Sequence, residues 1–93
     1  MAASLLQAGR FTEARGLLRR LAEASPGVTR YRALLALARG HEAEQAGDRD
    51  RARAEWRRAL ILAPDLDDAR RALRRVRGHS LLGRLVNRLR PDA

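Results

Sequence analysis

Ninety-three residues, 45% of them apolar and 33% charged, suffice for one small domain and are too apolar for a disordered tail. The net charge of +9 comes from twenty arginines against eleven carboxylates with no lysine, and the absence of cysteine excludes a disulfide framework and a thiolate metal site. No stretch approaches the ~20 apolar residues that span a bilayer, and MAASLLQAGR lacks the basic opening of a signal peptide, so a cytoplasmic protein is expected.

In chain order, residues 2 to 8 predict a short helix ended by Gly9. From there Phe11, Ala14, Leu18, Leu21 and Ala22 predict a second helix of about fifteen residues, stopped by Pro26. The pattern then returns 38 residues on: Gly47 matches Gly9, Ala52 matches Ala14, Trp56 matches Leu18, Ala59 matches Leu21, Leu60 matches Ala22 and Pro64 matches Pro26. A glycine that ends one helix and a proline that stops the next are the punctuation of a helical hairpin, and such a unit cannot bury its apolar face alone. After Pro64, DLDDARRALRRVRG predicts a further helix. Asp65, Asp67 or Asp68 would serve as its N-cap and first-turn anions, and Ala69, Leu73 and Val76 would face the Trp56 helix. Gly78 would end it, and HSLLGRLVNRLRP predicts a last amphipathic helix between Ser80 and Pro91, its apolar face formed by Leu81, Leu82, Leu85, Val86 and Leu89. That helix would cap the end of the stack.

These residues resemble the tetratricopeptide repeat, whose 34-residue unit pairs two antiparallel helices with small and large residues at fixed positions. The second copy carries the likeness: Gly40 at the small position of the first helix, Gly47 at the turn, Ala52 at the close-contact alanine, Trp56 at the large aromatic position, then Ala59 and Pro64. Ala36 and Arg39 depart from the pattern, standing where the family places a large aromatic residue and a leucine. About four residues beyond the period, around Thr29 to Arg32, lengthen either the connection or the following helix. The resemblance implies an all-α stack of antiparallel helical hairpins, a short superhelix with a C-terminal capping helix. It forms one domain over 1–93: a partial first repeat at 1–28, a second at 29–66, and a third-unit helix with its cap at 67–93.

In this family the first helices of the pairs line a concave groove. By that resemblance Leu34, Leu37, His41, Glu44 and Gln45 would line it, with Ala3, Leu6 and Gln7 before them and Asp68, Arg71 and Arg75 after. The expected function is noncatalytic protein interaction, the groove taking a peptide or helix with apolar anchors and acidic residues. The carboxylate clamp that some members build from lysine and asparagine is not expected, because the chain has no lysine and its only asparagine is Asn87.

The 38-residue offset also superimposes Arg15, Arg19 and Arg20 on Arg53, Arg57 and Arg58, which would form a basic stripe on the outer helices. That stripe supports an alternative, electrostatic binding of nucleic acid or an anionic membrane surface. The arginine bias has a second reading, coding bias in a GC-rich genome. A homodimer is a further expectation, since Leu5, Leu6, Leu17 and Leu21 would leave the shortened N-terminal end incompletely covered.

Catalysis, cofactors and metals are not expected. HEAEQ at 41–45 has glutamine where the two-histidine zinc motif needs its second ligand, and His79 beside Ser80 has no third partner for nucleophilic chemistry. Trp56 belongs to the core rather than to a base-stacking surface.

Overall fold

The computed structural model describes residues 2–76 of the chain. They form an all-α arrangement of five helices: α1 (Ala2–Gln7), α2 (Phe11–Ala24), α3 (Thr29–Gln45), α4 (Arg49–Leu62) and α5 (residues 67–76). The connections take three or four residues each, so neighbours in sequence are neighbours in space: α1 packs on α2, α2 on α3, and α3 on α4.

The sequence echo reappears in the backbone. Gly9 (φ 76°) and Gly47 (φ 84°) lie in the left-handed region, where a side chain would clash with its own backbone. Around them the same bonds form: Arg10 N–H donates to the Leu5 carbonyl at 2.9 Å and Asp48 N–H to that of Ala43 at 2.9 Å. The glycine N–H groups donate to Leu6 at 3.2 Å and Glu44 at 3.0 Å. Both are Schellman closures, which satisfy the carbonyls stranded at a helix end. The exits from α2 and α4 match as well, with Ser25 N–H donating to Leu21 and Ala63 N–H to Ala59. The copies differ at the start of the second helix, where Asp48 accepts from Arg51 N–H at 3.1 Å while its counterpart Arg10 forms no side-chain cap.

α3 is the central element, buried along most of its circumference by Ala33, Leu35, Ala36, Leu37, Ala38, Gly40 and Ala43. Alanine and glycine let the neighbouring helices approach closely, and Trp56 of α4 fills the space that this creates. Its indole is fully buried against Gly40. Around Trp56 the core continues through Ala52, Ala59, Ala63, Leu66, Ala69, Ala72 and Val76. A second cluster, Ala14, Leu18, Leu35 and Ala38, holds α2 on α3 and is flanked by Leu5, Leu6 and Leu21.

Three details refine the sequence expectations. Residues 29 to 32 belong to the helix rather than to the connection, since α3 begins at Thr29. The residue ahead of α5 is Leu66, whose carbonyl accepts from Arg70 N–H, so Asp67 and Asp68 supply first-turn anions while Asp65 reaches back to Arg30. Ala72 joins Ala69 and Val76 in the core, with Leu73 at its edge. The expected last helix, with Gly78, His79, Ser80, its leucine face, Asn87 and Pro91, lies outside the described residues.

Two glycine-to-alanine substitutions have opposite expected signs. At Gly16, exposed on α2, no heavy atom lies within 4 Å of an added methyl, so Gly16→Ala gains about 0.5–1 kcal/mol from reduced backbone freedom. At Gly40 the methyl would stand 2.5 Å from Cδ1 and 2.9 Å from Cε2 of Trp56 and closer still to Nε1. Overpacking of about 1–3 kcal/mol then exceeds the propensity gain, so Gly40→Ala destabilises. Thermal melts followed by circular dichroism distinguish the two, at about 4–8 °C per kcal/mol for a domain of this size.

Candidate functional site

The short α1, the start of α2, one face of α3 and the stretch through α5 enclose a concave groove of about 640 Å³. Leu34, Leu37 and His41 recur at i, i+3 and i+7 along α3 and so share one face. Ala3, Leu6 and Gln7 close the groove on the α1 side, and Leu66, Asp68, Arg71, Ala72 and Arg75 on the other. Leu37 is only 1% exposed, so it shapes the floor but offers little surface to a ligand.

The floor is anchored by a run of aromatic rings. Phe11, the first residue of α2, stacks on His41 with centroids 4.5 Å apart, and His41 meets Trp56 edge-on at 5.4 Å. The Arg75 guanidinium lies 6.0 Å from the Trp56 ring centroid and makes a bidentate pair with Glu44, at 2.7 and 3.0 Å. Arg75 thereby ties α5 to both α3 and α4.

Every arginine of the groove has a carboxylate partner: Arg30 pairs with Asp65 at 3.2 Å, Arg71 with Asp68, and Arg75 with Glu44. The groove is thus apolar at its floor and balanced in charge at its rim. Such exposed pairs stabilise the fold by only about 0–1 kcal/mol each, which leaves them free to exchange partners.

Of the residues expected in the groove, Leu34, Leu37, His41, Arg71 and Arg75 come together, and Glu44 joins them through Arg75. Gln45 is exposed at the end of α3 and does not line it. Phe11, Arg30, Leu66 and Ala72 line it as well and were not anticipated. Phe11 was expected only as an apolar residue of the second helix. Leu66 is an isolated apolar residue between aspartates, and only the chain's return after Pro64 brings it to the groove.

The expected stripe is not uniform. Arg15 pairs with Glu42 at 2.7 Å, Arg19 with Glu23 at 3.4 Å and Arg53 with Asp50. Arg20, Arg57 and Arg58 are exposed with no carboxylate partner among the described residues. No group of three His, Cys, Asp or Glu side chains that could hold a metal ion occurs among the described residues, and none of their helices is long and apolar enough to cross a membrane. No protein-family model, curated protein or solved structure matches the chain.

Burial holds the His41 imidazole below its ordinary value of 6.5; Glu44 opposes this, Arg75 adds to it, and Asp68 opposes it. The folded state therefore binds the proton less readily than the unfolded chain does. Its contribution is fully present above the unfolded value and is lost as the pH falls through and below it. The parent is expected to melt at a lower temperature at about pH 5.5 than at about pH 7.5, by a margin that shrinks in His41→Gln. An identical margin in parent and variant would assign the pH dependence to other groups.

Proposed function

We propose that this chain is a noncatalytic protein-interaction module of the tetratricopeptide-repeat type, an adaptor or assembly scaffold acting in the cytoplasm. The observation that carries the reading is the groove of about 640 Å³, with its apolar and aromatic floor and its rim of exchangeable ion pairs. A peptide or short helix would set one or two apolar side chains beside Leu6, Leu34 and Phe11. Its own carboxylates would then replace Asp65, Asp68 or Glu44 on the rim arginines.

The repeat assignment is supported by the order of glycine turn, buried Ala52, buried Trp56 and buried Ala59, and by the duplicated turn hydrogen bonds. The noncatalytic reading rests on the site's chemistry. Its one imidazole is sandwiched between Phe11 and Trp56, with no hydroxyl or thiol nucleophile among the lining residues.

Selection of displayed peptides on the purified protein tests this reading, with Ala3→Trp/Gln7→Trp as the groove-filled comparison. Both positions are exposed, so the substitutions narrow the groove without entering the core. Selected peptides should carry apolar anchors three or four residues apart with flanking Asp or Glu, and the groove-filled protein should bind them at least about tenfold more weakly. Peptides that bind both proteins equally would remove the groove as the binding site.

A further inference from the structure

On α3, Arg32, Leu35, Ala36 and Arg39 also share a face, half a turn away from Leu34, Leu37 and His41. They floor a second concavity, of about 310 Å³, walled by Arg19, Ala22 and Glu23 of α2 and by Arg58 of α4. It occupies the back of the molecule, between the two helices that flank α3.

The electrostatics of the two faces differ. Each groove arginine has its own carboxylate, whereas Arg32, Arg39 and Arg58 have none among the described residues, and Arg19 has only Glu23 at 3.4 Å. Four arginines and a single carboxylate thus line the cleft, with Leu35 and Ala36 between them. Arg39 stands where the repeat pattern calls for leucine, so the departure places a charge at the cleft in place of packing. One turn beyond Arg58 on α4, Ile61 is 80% exposed. Ile61 lies outside the cleft lining, where it offers an apolar contact to a ligand that extends past Arg58.

We propose that this back cleft docks an acidic segment of a partner protein, its carboxylates pairing with Arg32, Arg39 and Arg58 and an apolar side chain lying against Ile61. Guanidinium forks match carboxylates bidentately, and Ile61 supplies the apolar contact. A polyphosphate backbone would gain nothing from Ile61, would meet Glu23, and would find no aromatic side chain lining the cleft on which to stack a base. The groove would remain open on the opposite face, so the module would hold two partners at once.

The probe is a fluorescein-labelled peptide of about twelve residues, glutamates interspersed with leucines, titrated by anisotropy at about 0.15 M salt. The 93-residue chain is expected to bind it, and Arg39→Gln/Arg58→Gln to weaken binding at least about tenfold. Ile61→Ser should weaken it about threefold to fivefold. Arg49→Gln/Arg74→Gln removes the same charge away from the cleft and should change binding less than about twofold. Arg39 is half-buried; should its substitution reduce helicity, Arg32→Gln/Arg58→Gln, both exposed, replaces it. Three results would overturn the proposal: no binding of the peptide, equal weakening by the cleft and remote substitutions, or an oligothymidylate of equal charge binding at least as tightly and indifferently to Ile61→Ser.

Discussion

The contact of the Trp56 indole with the bare backbone of Gly40 is the constraint on which the packing of α4 and α5 against α3 depends. An indole this close is possible only because α3 has no side chain there, and its burial brings α4 against the central helix. With Trp56 fixed, His41 and Arg75 gain their ring contacts, and Arg75 in turn draws α5 to Glu44. Trp56 Nε1 is buried without a hydrogen-bond partner among the described residues, a polar cost that the packing around the ring must offset. One large ring closing on one missing side chain therefore sets α3, α4 and α5 against one another, two of which line the groove.

The same packing divides the charge. On the concave side the arginines are matched one to one with acidic residues. On the back of α3 the match fails: among the described residues Arg32, Arg39 and Arg58 have no carboxylate partner, and all three line the cleft between α2 and α4. The excess of +9 is thus concentrated partly where a partner could reach it.

Much of this was legible in the residues themselves. Glycine and proline punctuation set the helix boundaries to within a few residues, because a positive φ at Gly9 or Gly47 and a ring at Pro26 or Pro64 act locally. The resemblance anticipated that Trp56 would be interior and that Leu34 and His41 would face the groove together. What escaped is what depends on the third dimension. Arg39 stands out only as a departure from the repeat pattern, and Arg32 not at all, until α2 and α4 frame them, and the ion pairs of Arg30 and Arg75 join residues 35 and 31 apart in sequence. Arg15, Arg19 and Arg53 belonged to a stripe by alignment, yet each lies within reach of a carboxylate that the repeat pattern does not specify.

The central claim is that Gly40 and Trp56 are energetically coupled through direct contact. A double-mutant cycle of Gly40→Ala and Trp56→Leu, made in the Gly16→Ala background and read by urea denaturation, tests it most directly. With the indole present, the alanine methyl should cost stability; with leucine in its place, the same methyl should be neutral or stabilising by up to about 1 kcal/mol. A sign reversal of this kind is the predicted result. An equal cost of Gly40→Ala in both backgrounds would mean that the glycine serves some other contact, and that the arrangement of helices described here is wrong at its centre.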